Sequence, residues 1–155
     1  MKFLHTADWQ LGMTRHFLEE DAQARYSAAR RDAIVAIGAL ARETGAEFVV
    51  VAGDVFDANQ LAPKVISQSL DAMRAIDVPV YLLPGNHDER GALRASFPDH
   101  DYLRRWDPFI QYAIEDHALR IVGLDTVIPG QGGGELCAAR LAWLDRTLTQ
   151  SDRPT

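Results

Sequence analysis

Apolar positions along the chain follow two alternating periods. Lys2 to Leu4 is a short, mostly apolar run that stops at His5-Thr6-Ala7-Asp8 and predicts a buried strand opening into a loop. From Asp21 to Thr44, Ala29, Ala33, Ile37, Leu40 and Ala41 recur at helical spacing, and Gly45 follows where a left-handed cap ends a helix. Phe48 to Ala52 is a continuous β-branched run of the kind found in a strand covered on both faces, and it ends in Gly53-Asp54-Val55-Phe56-Asp57. Pro63 suits a first helical turn, and Val65 to Ile76 repeats the helical period. Val80 to Leu83 predicts a third strand, running into Pro84-Gly85-Asn86-His87-Asp88. This β-α-β-α-β order with short connections predicts an α/β fold with a parallel sheet and right-handed crossovers. All three strands deliver polar loops at their carboxyl ends, the edge at which such sheets bind ligands.

The second half has a different pattern. Phe109 to Ile114 and Leu119 to Leu124 flank Glu115-Asp116-His117-Ala118 and predict an antiparallel hairpin. Asp125 to Glu135 is a Gly-rich loop around GQGGGE, without the following Lys-Ser/Thr of a phosphate-binding loop. Ala138 to Leu148 predicts a short amphipathic helix with Leu141, Leu144 and Leu148 on one face. No linker divides the chain, so residues 1–155 read as a single domain.

Composition narrows the picture. With 155 residues, 47% hydrophobic and 25% charged, the chain suits one soluble globular domain and excludes a disordered tail, a fibre or a coiled coil. No apolar run approaches the roughly 18 to 20 residues that cross a bilayer, and MKFLHTADW has no signal-peptide pattern. Cys137 is the only cysteine, which excludes an internal disulfide or a thiolate metal cluster and points to a reducing cytoplasm. The net charge of −6 is spread along the chain without a basic block. That weighs against DNA as a partner, although a local basic patch can coexist with an acidic whole.

Three strand-end clusters carry candidate chemistry: Asp8 with Gln10, Asp54 with Asp57, and Asn86-His87-Asp88. Taken singly, Asp8 reads equally as a cap, Asp54 as a turn residue and Asn86-His87 as a tight turn. Their occurrence in order at three successive strand ends singles them out. Carboxylate and amide oxygens with an imidazole suit manganese, iron, zinc or magnesium rather than soft copper. Converging carboxylates on one sheet edge repel each other without a cation, and one bridging aspartate can serve two metals about 3.5 to 4 Å apart.

The ordered set Asp8, Gly53-Asp54 and Gly85-Asn86-His87-Asp88 resembles the calcineurin-like metallophosphoesterase superfamily. The resemblance implies part of a four-layer αββα sandwich over a site for two divalent metal ions, with manganese the first expectation. It implies Asp8 as a ligand of the first metal, Asp54 as the bridging carboxylate and Asn86 as a ligand of the second. It further implies His87 facing the scissile phosphate, with Asp88 orienting the imidazole. The opening HTADWQLGM is similar to the DNA-repair exonuclease branch. The stretches NHDERGALRASFPDHDYL, FIQY, GLDTVIPG and LAWLD are similar to the cyclic-nucleotide phosphodiesterase branch.

Two departures qualify what the resemblance implies. The family's first motif is Asp-x-His, whereas this chain has Asp8-Trp9-Gln10. Gln10 therefore reads as a weak metal ligand, a residue reaching a metal-bound water, or a solvated loop residue. The family also completes its site with three later histidines, one after a further strand and two in a Gly-His-x-His turn. His5, His16, His100 and His117 stand in none of these contexts; His5 is expected to support its loop and the others to lie at the surface. On the resemblance the chain lacks the C-terminal strands, and the missing donors are expected after Thr155. The resulting expectation is a metal-dependent phosphoesterase that hydrolyses phosphodiester bonds of a nucleotide or small diester. A DNA-repair nuclease and a non-catalytic fragment with an incomplete metal site are the alternatives. Trp9, Trp106 and Trp143 are expected in core or rim packing, Arg104-Arg105 as a solvated pair and Asp125 as a turn residue.

Overall fold

Three short parallel strands, β1 (Leu4–Thr6), β2 (Val49–Ala52) and β3 (Val80–Leu83), form the first sheet in the order β1-β2-β3 of a computed structural model that describes every residue except Asn59. Val49 stands opposite both Leu4 and Val80, so the three carboxyl ends finish level. Helices α1 (Glu20–Thr44) and α2 (Pro63–Met73) make the two crossovers and pack against each other. An antiparallel ladder of β4 (Tyr112–Ile114) and β5 (Ile121–Gly123) follows, and α4 (Ala138–Thr149) closes the described elements. The predicted parallel α/β half and the hairpin are both present. Residues 101–104 add a 3₁₀ turn, and α3 (Arg90–Ser96) is a helix that the sequence pattern did not predict. Among the described residues no helix is long and apolar enough to cross a membrane.

The buried stripes of the helices differ from the predicted ones. On α1 the buried residues are Ile34, Gly38 and Ala41, while Leu40 is exposed. The cause lies at Gly38: a Cβ there would stand 2.5 Å from the Ala75 carbonyl oxygen, so only glycine lets the two helices meet. Arg42 secures the same crossing by donating to the Ala75 carbonyl and to Asp77, at 3.1 and 2.9 Å. On α4, Arg140, Trp143 and Thr147 face inward and Leu141 and Leu148 face out. That helix is turned by its arginine, which reaches into the protein toward Asp125.

Asp125 is fully buried rather than a surface turn residue. Its carboxylate accepts two hydrogen bonds from Arg90 and one each from the Ile110 and Val127 amides, at 2.8 and 2.9 Å. Arg140 lies 3.7 Å away and donates to the Asp125 carbonyl. One charge thus joins α3, the segment before β4, the exit of β5 and α4. Burying arginines here is tolerable only because the carboxylate and backbone oxygens receive most of their donors, although the buried Arg140 Nε has no partner among the described residues.

The outer edge of β3 is closed by side chains. Tyr102 accepts from the Leu82 amide at 2.9 Å and donates to the Val80 carbonyl at 3.0 Å, while Tyr112 donates to the Leu82 carbonyl at 3.0 Å. Burial pushes both phenols well above their ordinary pKa, so both stay protonated. Two hydroxyls thereby occupy the groups that a neighbouring strand would use. The expected surface histidines also differ: the hairpin turn folds His117 over Phe48, 4.5 Å between rings, and against the Tyr81 hydroxyl at 3.0 Å. His100 is half-buried between Phe97 and Tyr102, whereas His16 is exposed as expected.

Tyr102→Phe is expected to strand one buried N–H and one carbonyl and to lower unfolding stability by about 1–3 kcal/mol in urea titrations followed by tryptophan fluorescence. Asp125→Ala, which leaves two arginines uncompensated, is expected to cost about 3–5 kcal/mol in the same assay.

Candidate metal centre

Beyond the sheet, the chain leaving β1 and the chain leaving β2 continue side by side. Asp8 donates its backbone N–H to Gly53, Gln10 to Asp54 and Leu11 to Val55, at 3.1, 2.8 and 3.0 Å. Asp8, Gln10 and Asp54 all sit in the left-handed region, with φ of 54°, 43° and 52°. Such a conformation costs a non-glycine residue on the order of 1 kcal/mol, and its clustering at adjacent strand ends marks a place where surrounding structure imposes the backbone. Arg30 of α1 supplies part of that imposition by donating to the Trp9 carbonyl at 2.7 Å, and the buried Trp9 indole donates to Thr6 at 3.0 Å.

The β3 loop closes on the β2 loop through two glycines. A Cβ at Gly53 would come to 3.0 Å from the Gly85 Cα, and one at Gly85 would fall 2.0 Å from Asp54 Oδ1. With no side chain there, the Asp54 carboxylate lies against the β3 loop, where its Oδ1 accepts the His87 amide at 3.1 Å. Asp54 is itself buried, at 7% exposure, while Asp8 and Asn86 are exposed and Gln10 is half-buried. The side chains of Asp8, Gln10 and Asn86 hold no hydrogen bond to a described residue, which leaves their oxygens available.

Asp88 is placed differently from what the resemblance implies. Its carboxylate is buried and accepts three backbone amides, Val55 and Gly85 on one oxygen and Phe56 on the other, at 3.1, 3.0 and 3.0 Å. Burial pushes this carboxyl above its ordinary pKa, the amide bonds draw it back down, and the Asp54 charge adds to the rise. The His87 ring is oriented instead by the Asp57 carbonyl, 3.0 Å from Nδ1. A carbonyl can only accept, so Nδ1 carries the proton of this pair and Nε2 is left facing outward. Asp88 therefore staples the two loops, and the backbone of Asp57 does the orienting.

Two contributors were not singled out in the sequence. Arg30 stands in an unremarkable helical run, and nothing local marks it as a loop support. Glu89 was signalled by its position: it caps α3 by accepting from the Gly91 and Ala92 amides, three residues after Asn86. Beside Asn86 and Asp88 opens a cleft of about 410 Å³, walled by Arg90, Arg94, Asp107 and Pro129. Its arginines are engaged, Arg90 with Asp125 and Arg94 with Asp107.

The sheet edge thus gathers two carboxylates, Asp8 and Asp54, and two amides, Gln10 and Asn86. All four offer hard oxygen atoms, which fit manganese or magnesium better than metals that favour nitrogen or sulfur. The glycine cradle at Gly85 and the unengaged oxygens of Asp8, Gln10 and Asn86 accord with such an ion. The set is short of a full coordination shell: among the described residues no three His, Cys, Asp or Glu side chains group to hold a metal.

Known proteins resemble this chain in sequence and in fold. The sequence model for calcineurin-like phosphoesterases matches residues 1–150. The chain is 32% identical over 104 residues to the probable glycerophosphodiester phosphodiesterase GpdQ of Arcobacter nitrofigilis, covering 67% of this chain and 37% of that protein. It is 36% identical over 112 residues to a probable cyclic nucleotide phosphodiesterase of Rhodopseudomonas palustris, covering 69% and 39%. It is 34% identical over 95 residues to the DNA double-strand break repair protein Mre11 of Archaeoglobus fulgidus, covering 57% and 20%. The chain therefore spans about two fifths or less of these relatives' lengths. In three dimensions it resembles a dimetal phosphatase from Danio rerio with a TM-score of 0.65 at 19% identity, over 97% of this chain and 65% of that one. A family match over nearly the whole length, on a fold that ends its parallel strands in Asp8, Asp54 and Asn86, is decisive: the chain belongs to the calcineurin-like phosphoesterase family.

Proposed function

We propose that this chain carries the metal-binding edge of a phosphodiesterase acting on a nucleotide or a small diester. The observation that carries the reading is the convergence of Asp8, Gln10, Asp54 and Asn86 on one sheet edge, three of them in a left-handed backbone. Two divalent cations, manganese or magnesium by the hardness of the donor set, would be held there by Asp8, Gln10, Asp54 and Asn86, and would neutralise phosphate charge and lower the pKa of the attacking water. The protein's own part is positional. Asp54 is fixed by the His87 amide, and the Asp57 carbonyl holds the His87 ring through Nδ1–H, so that the imidazolium form, with Nε2 also protonated, would hand the Nε2 proton to the leaving oxygen and return to the neutral ring. The cleft beside Asn86 would receive the alcohol portion of the substrate. With its arginines committed to Asp125 and Asp107, it offers little to a polyanion and suits a small diester. The relatives named for glycerophosphodiesters and cyclic nucleotides support the same substrate class. A free Cys137 accords with a reducing cytoplasm.

A second reading has its own support. The donor set lacks a full shell, and the chain spans only part of its relatives. On that reading these residues bind metal weakly and catalyse nothing until further donors join them. A nuclease is the third reading, supported by the likeness to Mre11.

Hydrolysis of bis-p-nitrophenyl phosphate with manganese, run beside manganese titration calorimetry, separates these readings. Measurable turnover supports the first, and manganese binding without turnover supports the second. Cleavage of single-stranded DNA in preference to cyclic nucleotides supports the third. Asp54→Ala is expected to abolish both manganese binding and hydrolysis; retained activity would remove Asp54 from the centre. His87→Ala is expected to lower kcat by about 10²- to 10⁴-fold and to leave manganese affinity within about threefold. Loss of the metal in that variant would make His87 a ligand instead.

A further inference from the structure

At the amino end of β3, opposite the end that carries Asn86 and His87, a second cleft of about 410 Å³ opens between the last turn of α2, the connection into β3 and the end of α3. Leu70, Met73, Ile76, Val78, Val80 and Phe97 give it apolar walls. Met73, Ile76 and Phe97 belong to the buried core, so the floor of the cleft is the edge of that core open to solvent. A concave apolar volume of this size suits a small organic molecule. Twelve described residues line it, fewer than the roughly 20 to 30 that a stable protein interface uses on each side.

Polar side chains stand at its rim, and their engagements decide what it can take. Arg74 is paired with Asp71 and brings no free charge. Ser96 donates its hydroxyl proton to the Ala92 carbonyl at 2.9 Å, which leaves its oxygen as an acceptor. The His100 ring packs edge-on against Phe97 and Tyr102, and its nitrogens make no hydrogen bond to a described residue. Those nitrogens are not sealed inside the protein: the buried side-chain atoms without a partner lie on Arg30, Gln111, Arg120 and Arg140. Burial holds this half-buried imidazole below its ordinary pKa, against the pull of the Asp99 charge, so the ring is neutral at pH 7. Asp99 is exposed and has no hydrogen bond or ion pair with a described residue. Arg104, which could have compensated it, spends its terminal nitrogens on the carbonyls of Arg94, Phe97 and Pro98. The rim thus presents one unpaired carboxylate, two neutral groups able to accept, and no unpaired cation.

We infer that this cleft binds a small organic amine, its apolar body packed on Met73, Ile76 and Phe97 and its ammonium group facing Asp99. The choice of occupant follows from charge complementarity. An anion would meet an unpaired carboxylate, and a neutral hydrophobe would leave that carboxylate unused. Beside apolar walls the attraction between ammonium and carboxylate is stronger than in open water. The inference stands apart from the phosphodiesterase reading, because the cleft lies at the other end of the sheet and none of its residues belongs to the set Asp8, Gln10, Asp54 and Asn86.

The test is an NMR titration of the full chain at neutral pH, following the His100 ring protons and the Val78 and Val80 methyls. Phenethylamine is the probe, with 2-phenylethanol and 3-phenylpropionate as neutral and anionic counterparts of similar shape. Phenethylamine is expected to move these signals saturably, with a dissociation constant of about 1 mM or tighter, and to bind at least about tenfold more tightly than either counterpart. Asp99→Asn, at an exposed position, is expected to weaken phenethylamine by about tenfold and to leave 2-phenylethanol within about twofold. Asp145→Asn removes one exposed charge from α4 instead and is expected to change neither. The inference is overturned if phenethylamine gives no saturation, or if 2-phenylethanol or 3-phenylpropionate binds as tightly. It is equally overturned if Asp99→Asn leaves phenethylamine unchanged, or if Asp145→Asn weakens it as much, which would reduce the effect to overall charge. Movement of the same signals on raising the protein concentration alone would put a second copy of the chain in the cleft and overturn the inference as well.

Discussion

One buried carboxylate, that of Asp88, holds the site together. When β2 and β3 end, the amides of Val55, Phe56 and Gly85 lose their ladder partners in an interior where unmade donors are costly. Asp88 accepts all three, and so fixes the β3 loop on the β2 loop. The contact is close enough that only glycine serves at position 85. From this crossing follow the placement of Asp54 under the His87 amide and the start of α3 immediately afterwards. Arg90, in the first turn of that helix, then ties the edge to Asp125, and Asp125 ties it to β5 and α4. The chemistry on the sheet edge and the packing of the second half thus share one continuous set of hydrogen bonds.

The alternation of apolar runs and polar loops made the parallel half, the hairpin and the location of the candidate site legible. Strands covered on both faces are continuous in sequence, and their loops carry whatever the edge needs. The rotation of the helices was not legible. A helical period marks a stripe only to within about one residue, and on α1 the choice was made by the close approach of Gly38 to Ala75. On α4 an inward arginine decided it, against a leucine face that looked apolar but stands partly in solvent. Asp125 shows the same limit: its residue type suits a turn, and only the three-dimensional arrival of Arg90 and Arg140 buries it.

At the site, residue types pointed to the chemistry while partners escaped prediction. Asp88 next to His87 suggests a carboxylate–imidazole pair, yet three backbone amides outcompete the ring for it. The ring turns to a backbone carbonyl, a partner that no side-chain motif encodes. Electrostatics divides the surface in a way that a net charge of −6 conceals. Beside Asn86 the arginines are neutralised by Asp125 and Asp107, whereas between α1 and α2 Arg31 and Lys64 have no acidic partner among the described residues.

The central claim is that the carboxyl edge of β1, β2 and β3 is a divalent-metal centre organised around Asp54. Its most direct test is a manganese anomalous-difference map from crystals of this chain grown with the ion. A peak within coordination distance of the Asp54 carboxylate, shared with Asp8 or Asn86, is the result expected. A map with manganese bound elsewhere, and the Asp54 carboxylate engaged only by the His87 amide, would contradict it.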